Sequence, residues 1–140
     1  MQKGFTIIEL LVVIAIIAVL AAIVLVNVTQ YINKGNNAAI KANLATVLTN
    51  SATYFENQHD FSDFCASSGF TNPAAAIAKA GGSPVCTVSD DTTTVCACST
   101  ELVTNQTPAG TTFCIDSTGT KTETQNDCSI ECQSIIGTCQ

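Results

Sequence analysis

One carboxylate stands at the head of a long apolar segment. Glu9 is followed by an uninterrupted apolar run over residues 10–26. A charged side chain at the centre of a bilayer costs about 2.5–3.5 kcal/mol on insertion scales, so an intramembrane acid indicates a functional site with a cationic partner. Residues 5–33 contain no Lys, Arg or His. Cleavage after Gly4 would create a cation, because the new amino group of Phe5 would lie four residues from Glu9 on the same helical face.

Cysteines are the second group of residues with chemistry of their own. The chain contains eight, all in a region that is poor in large apolar side chains. A small domain has a core of marginal stability, and each disulfide that closes a loop contributes about 2–4 kcal/mol. We therefore predict four disulfides in an oxidising compartment, formed by Cys65, Cys86, Cys96, Cys98, Cys114, Cys128, Cys132 and Cys139.

The pairing of these cysteines stays open at this point. We expect Cys96 and Cys98 to have different partners and a C-terminal loop to be closed through Cys128, Cys132 or Cys139. A zinc site is the competing interpretation, because Cys128 and Cys132 have the spacing of a ligand pair. Cys96 and Cys98 do not have that spacing, and the chain has one histidine. We predict disulfides, with no metal and no cofactor.

Other patterns for catalysis or ion binding are weak. Asp90 and Asp91 lack the alternating oxygen ligands of a calcium loop, so a solvated turn is favoured over a calcium site. His59 lies in a polar stretch and has no Ser or Cys partner that would complete a triad, and no phosphate-binding motif is present. We predict that the protein is not an enzyme.

The element that must position Glu9 is the apolar segment. About 20 apolar residues cross the hydrocarbon core of a membrane, and residues 5–28 are predicted to do so as a helix. A secretory signal peptide is disfavoured, because its apolar region is only about 7–15 residues long and ends at a small-residue cleavage site. An ordinary single-pass anchor would explain the length of the segment but would leave Glu9 without a role.

The helix is predicted to continue beyond the membrane over residues 29–58. Apolar residues spaced by three, four and seven form one stripe there, namely Ile40, Leu44, Val47, Leu48 and Phe55. No proline precedes Pro73, so one helix of about 80 Å could run over residues 5–57, at 1.5 Å per residue. Gly35 is its predicted weak point, where the helix kinks or melts.

Residues 59–140 are predicted to form a small head. Asn72 and Pro73 have the types of an N-cap and a first helical residue, and Gly81-Gly82 would stop that short helix. Segments 85–88, 93–98, 111–115 and 120–124 predict an antiparallel sheet of three or four strands. One or two helical turns are expected within residues 127–136. Core packing is expected from the aromatic residues Tyr54, Phe55, Phe61, Phe64 and Phe70.

The fold class that follows is α+β. A long N-terminal helix, with a membrane-spanning half and an amphipathic half, packs against a small antiparallel sheet stapled by disulfides. The net charge is −6, with five basic and eleven acidic residues, and most of the acids lie in the head. This charge argues against a nucleic-acid surface on the head, so no direct nucleic-acid binding is predicted.

The combination of Gly4, Phe5, Glu9 and a spanning apolar run resembles the N-terminal signal of type IV pilins and of the related pseudopilins. This resemblance covers residues 2–28. It divides the chain into a leader (1–4), a membrane and filament-core helix (5–28), its amphipathic continuation (29–58) and a head (59–140).

The resemblance also implies a set of partners and a location. A prepilin peptidase would cut between Gly4 and Phe5 and would N-methylate Phe5. The processed chain would be a single-pass membrane protein, and a pilus assembly platform would then add it to an extracellular helical homopolymer. In that filament, Glu9 would face the Phe5 amine of an adjacent subunit. Adhesion, motility and DNA uptake are the roles implied for such a filament.

Two alternatives remain at this point. A pseudopilin of a type II secretion system has the same N-terminal signal. A membrane-tethered extracellular binding module that never polymerises would have the same head and helix, but its Gly4–Phe5 bond would stay intact.

Overall fold

The computed structural model describes residues 4–132 and 137–139. Its described elements are α1 (Ile7–Gln58), a 3-10 turn (Phe64–Ala66), α2 (Ser68–Lys79), β1 (Pro84–Val88), β2 (Val95–Thr100), β3 (Thr112–Asp116), β4 (Lys121–Thr124) and α3 (Cys128–Glu131). The chain divides after Ile32 into two compact units, called here the apolar unit (residues 4–32) and the head unit (33–132 and 137–139). Residues 133–136, part of the last predicted helical segment, lie outside the described residues.

The apolar unit is helical from Ile7 onward and presents apolar side chains to its surroundings in every direction. Leu11, Ile14 and Leu20 keep 54%, 53% and 58% of their surface exposed. Of the described helices, α1 alone contains a stretch long and apolar enough to cross a membrane. A helix that is apolar all round needs lipid or protein around it.

The predicted fold class is confirmed in the head unit. Residues 33–58 of α1 pack against a four-stranded antiparallel sheet of order β1-β2-β3-β4. In the central pair of strands, Cys98 lies opposite Cys114 and Ala97 opposite Ile115. Each strand lies within two residues of its predicted segment, and residues 117–120 connect β3 to β4.

The sheet has two different faces, because successive side chains of a strand point to opposite sides. The helix-facing side carries Val95, Ala97 and Ile115, which belong to one apolar cluster with α1. The cystine face carries Cys96, Cys98 and Cys114, which cluster instead with Cys128 and Cys132.

The predicted stripe of α1 is largely confirmed. Ile40, Leu44 and Val47 are at most 2% exposed, whereas Phe55, at 38% exposed, lies at the margin of the core. The expected melting of the helix at Gly35 was wrong, because the helix continues through this residue. The loss of about 1 kcal/mol for a helical glycine is small beside the packing that begins one turn later at Ile40.

The aromatic residues pack as expected around Phe64, which is fully buried. The ring of Tyr54 meets that of Phe64 edge-on at 5.3 Å between centroids. Phe61 is also buried, and Phe70 is partly buried against the same cluster. His59 lies just after α1, exposed and with a positive φ of 63°.

The start of α2 was predicted wrongly. The helix begins at Ser68 with Ser67 as its N-cap, and Pro73 lies inside it. An interior proline cannot donate to the carbonyl four residues earlier, here that of Gly69. The side chain of Asn50 on α1 donates to that carbonyl through Nδ2 at 2.8 Å. A tertiary hydrogen bond thus replaces the one that the proline removes.

Two further contacts of α1 and α2 fix the arrangement of the head. Asn37 is buried; its Oδ1 accepts from the amide of Leu102 at 2.7 Å, and its Nδ2 donates to the Leu102 carbonyl at 2.8 Å. At Gly82, an added Cβ would lie 2.6 Å from Oγ of Ser99, 2.8 Å from Cγ2 of Ile77 and 3.0 Å from Cδ1 of Ile40. The chain therefore passes between both helices and the sheet at a point with no room for a side chain.

Candidate functional site

Glu9 is held by a residue of its own helical turn. Its Oε2 accepts hydrogen bonds from both the amide and the hydroxyl of Thr6, each at 2.8 Å. The hydroxyl oxygen of Thr6 in turn accepts from the amide of Glu9 at 3.3 Å. This reciprocal pair is a capping box, in which a Thr at the N-cap and a Glu three residues later satisfy two free amides at the start of a helix.

Thr6 is the residue of this candidate site that the sequence reasoning missed. The spacing Thr-x-x-Glu before an apolar run is a known helix-start signal and could have identified it. Because Thr6 caps the helix, α1 begins at Ile7, and Phe5 lies outside it. In the uncleaved chain, therefore, Phe5 and Glu9 do not occupy one helical face, and the carboxylate is paired with Thr6.

The structure pairs all eight cysteines. Cys65 is joined to Cys86, which ties the 3-10 turn to β1 on the helix-facing side. The other three pairs join the cystine face to the C-terminal segment: Cys96–Cys132, Cys98–Cys128 and Cys114–Cys139. The paired Cα atoms lie 5.5–6.1 Å apart, within the usual range for a disulfide.

Two of these cystines touch each other and form what we call the sulfur cluster, made of Cys96, Cys114, Cys132 and Cys139. The Sγ atom of Cys96 lies 3.2 Å from that of Cys114 and 3.8 Å from that of Cys139. The Sγ atoms of Cys114 and Cys132 are 3.5 Å apart. Three of the four residues are buried, while Cys139 is partly exposed.

Asp116 anchors the C-terminal segment on the cystine face. Its Oδ2 accepts from the amide of Cys139 at 2.9 Å, and its Oδ1 accepts from the hydroxyl of Thr118 and from the amides of Thr118 and Thr120. Burial raises the pKa of Asp116, but these hydrogen bonds outweigh burial and hold the pKa below its ordinary value.

An ion pair links α1 to the sheet. The Nζ atom of Lys41 lies 2.6 Å from Oε1 of Glu123 and 3.0 Å from Oε1 of Glu101, whose side chain is fully buried. Burial lowers the pKa of Lys41, but the hydrogen bond to Glu123 and the contact with Glu101 raise it above its ordinary value. The ammonium thus compensates a buried carboxylate.

The weaker ion-binding candidate forms an ordinary turn. Oδ1 of Asp91 accepts from the hydroxyl of Ser89 and from the amide and hydroxyl of Thr93. These hydrogen bonds hold the pKa of Asp91 below its ordinary value. Asp90 and Asp91 are both exposed, as expected for a solvated turn.

Comparison with known proteins identifies the N-terminal motif. Residues 1–25 match the family model of the prokaryotic N-terminal methylation motif. The chain is 37% identical over 69 residues to the type IV major pilin protein PilA of Myxococcus xanthus. This match covers 49% of this chain and 31% of that protein. It is 52% identical over 44 residues to the type IV major alpha-pilin of Moraxella bovis, covering 31% of this chain and 28% of that pilin.

These matches confirm the resemblance to type IV pilins. The matched part of the chain spans less than a third of the length of each curated relative. No solved structure matches the chain.

Proposed function

We propose that this chain is the precursor of a structural, non-catalytic subunit of a type IV pilus. A prepilin peptidase cuts between Gly4 and Phe5 and methylates the new amino group, and α1 then drives polymerisation into an extracellular filament. The observation that carries this proposal is an exposed apolar helix headed by Glu9, directly after a leader that matches the methylation motif.

Exchange of lipid for protein around the apolar unit is energetically feasible. Lipid tails are as apolar as the side chains they surround, so helices associate in this setting through packing and polar contacts rather than through the hydrophobic effect. Side chains such as Ile14 and Leu20 remain more than half exposed in the single chain. In a filament these surfaces pack against the same helix of neighbouring subunits.

Glu9 supplies the polar contact. Before assembly, its carboxylate is hydrogen-bonded to Thr6, which lowers the cost of holding it in the membrane. After cleavage, the methylated amine of Phe5 in an adjacent subunit provides a cation for this carboxylate. In this pairing both the donor and the acceptor carry a charge. It forms only at the axial offset that brings the amine to the carboxylate, so it favours one register between subunits.

The head unit forms the outer surface of the filament. Its cystines suit an oxidising space outside the cytoplasm. Its acidic surface determines which partners the filament binds. Adhesion, motility and DNA uptake are the candidate roles. DNA uptake would need another DNA-binding component, because the chain has a net charge of −6 and most of its acids lie in the head. The chain itself is membrane-anchored until the assembly platform extracts it.

The replacement of Glu9 by Ala tests the role of the carboxylate. We expect Glu9→Ala to leave membrane insertion intact and to reduce the yield of sheared filaments strongly, because the register contact is lost. Glu56→Ala, which removes an exposed carboxylate from the end of α1, is the matched control and should assemble normally. Normal filament yield from Glu9→Ala would refute the role of the carboxylate in register.

Mass spectrometry of the N-terminus in native cells tests the whole proposal. Sheared surface filaments should contain this chain beginning at N-methylated Phe5. Processed chain confined to the cell envelope would identify a pseudopilin instead. Chain that remains in the membrane and begins at Met1 would identify a tethered module that does not polymerise.

A further inference from the structure

A group of buried oxygen atoms lies in the head, apart from the cystines. Glu131, at the end of α3, and Thr112, on β3, are both fully buried. Oε2 of Glu131, Oγ1 of Thr112 and Oγ1 of Thr122 on β4 are shielded from solvent, and none of the three has a hydrogen-bond partner among the described residues. Buried polar atoms without partners indicate a water molecule or an ion that completes their coordination.

Strand register places the two threonine hydroxyls on the cystine face. Residues that lie opposite each other in an antiparallel pair share one face of the sheet. Thr122 lies opposite Cys114, which belongs to the cystine face. Thr112 precedes Cys114 by two residues on β3, so its side chain projects to the same face. The two threonines are therefore diagonal neighbours on adjacent strands.

The short helix α3 carries Glu131 over the same face. Cys128, three residues before Glu131, belongs to the cystine face, and residues three apart share one side of a helix. Oε1 of Glu131 accepts a hydrogen bond from Nδ2 of Asn126 at 2.8 Å. The amide of Asn126 in turn donates to Oγ1 of Thr124 at 3.1 Å, and Thr124 lies opposite Thr112. These links place the carboxylate on the β3–β4 side of α3.

The charge of Glu131 has no counterion in the part of the chain that the structure describes. A buried carboxylate is normally paired with a cation or coordinates a metal ion. The ion pairs of the described residues are those of Lys41, which lies on α1 at the other side of the sheet. Lys121 lies opposite Ile115, also on the helix-facing side. A lysine of another molecule would not reach Glu131, because this side chain is fully buried.

We propose that Glu131, Thr112 and Thr122 bind one hard monovalent cation, Na⁺ or K⁺, through Oε2 and the two Oγ1 atoms. Oxygen ligands favour a hard cation over metals that prefer thiolate or imidazole. One carboxylate balances one positive charge, whereas Ca²⁺ or Mg²⁺ would leave an uncompensated charge in the interior. The bound ion connects α3 to β4, a strand that contains no cysteine.

Urea unfolding of the oxidised full chain in a nonionic detergent tests this site. NaCl or KCl is exchanged for choline chloride at constant ionic strength, so that general screening by salt does not change. We expect the urea midpoint to rise with Na⁺ or K⁺. Above the Kd, each tenfold increase in a ligand that binds only the folded state raises the folding equilibrium constant about tenfold.

A midpoint that depends on neither ion would overturn the proposal, and a water molecule or a proton would then be the partner of Glu131. A midpoint that responds to Ca²⁺ but to neither monovalent ion would equally overturn it.

Conservative variants assign the effect to these residues. Glu131→Gln keeps the size of the side chain but removes its charge, and it should abolish the dependence on the monovalent cation. Glu56→Gln, at the exposed end of α1, is the matched control and should keep the parental dependence. Thr112→Val removes one ligand from a side chain of similar shape and should weaken the dependence, which keeps the test decisive if Glu131→Gln does not fold. Parental dependence in Glu131→Gln or in Thr112→Val would show that the ion binds elsewhere.

Discussion

The two faces of the sheet hold their neighbours by different physical means. On the helix-facing side, Val95, Ala97 and Ile115 pack against the apolar stripe of α1, and stability comes from many small contacts. On the cystine face, three covalent bonds hold the C-terminal segment. Packing loses stability gradually as side chains are trimmed, whereas the cystine face depends on the redox state. One sheet can thus combine a packed side with a side held mainly by covalent bonds.

Among the changes that test this comparison, complete reduction of the disulfides is expected to have the largest effect on the stability of the head. Because each bridge contributes about 2–4 kcal/mol, reduction in the presence of a chelator should abolish or strongly weaken the cooperative urea unfolding of the head. Near-UV circular dichroism in micelles would measure this loss, while the apolar unit, which has no cysteine, should keep its far-UV helical signal. An unchanged urea midpoint, with eight thiols titrated, would show that the packed side alone stabilises the head.

Truncation of Leu44 tests the packed side. Leu44 is fully buried, and Leu44→Ala should lower the free energy of unfolding of the oxidised head by about 2–5 kcal/mol through lost burial and a cavity. Urea denaturation measures the change. Ala45→Ser alters an exposed neighbour on α1 and should stay within about 0.5 kcal/mol of the parent. Equal stability of the two variants would show that the burial of Leu44 contributes little to the stability of the head.

Asn37 tests a polar contact at the edge of the packed side. Asn37→Ala removes the acceptor of the Leu102 amide, whereas the Leu102 carbonyl keeps a hydrogen bond from the hydroxyl of Thr107. The unpaired amide should cost about 1–3 kcal/mol. Hydrogen exchange should show the amide of Leu102 losing its protection. Asn36→Ala, one residue earlier on α1, serves as the control. Unchanged protection of Leu102 in Asn37→Ala would contradict the assigned role.

Acid should lower the stability of the cystine face through protonation of Asp116. We expect this effect to be smaller than those of reduction, Leu44→Ala and Asn37→Ala. The pKa of Asp116 is below its ordinary value in the folded head, so its stabilisation is present above an unfolded pKa of about 3.9 and is lost as the pH falls through the lower folded value. Between pH 6 and pH 3, the urea midpoint should therefore fall less in Asp116→Asn than in the parent. The exposed control Asp90→Asn should keep the parental dependence, and a parental slope in Asp116→Asn would exclude this assignment.

Periodicity predicted the elements of this fold well. The stripe of Ile40, Leu44 and Val47 identified the buried side of α1, and alternating β-prone segments identified all four described strands. These features depend on local spacing, which the sequence displays directly. The N-terminal signal was equally readable, because Gly4, Phe5 and Glu9 lie within six residues of one another.

Long-range contacts account for most of what the sequence did not predict. The start of α2 was misplaced because Pro73 is tolerated only where Asn50, more than 20 residues earlier, bonds the carbonyl of Gly69. Cysteine pairing depends on strand register, which places Cys96 and Cys98 on one face and brings Cys114 beside them. Thr6 is different, since its capping signal is local and was overlooked.

The tight passage at Gly82 has a consequence for how such a chain can change over evolutionary time. A methyl group at this position would collide with Ile40, Ile77 and Ser99 at once, so no single compensating substitution makes room for it. Exposed positions of the head can accept many substitutions as the surface adapts to new binding partners. Position 82 is expected to remain glycine while the residues of the outer surface change.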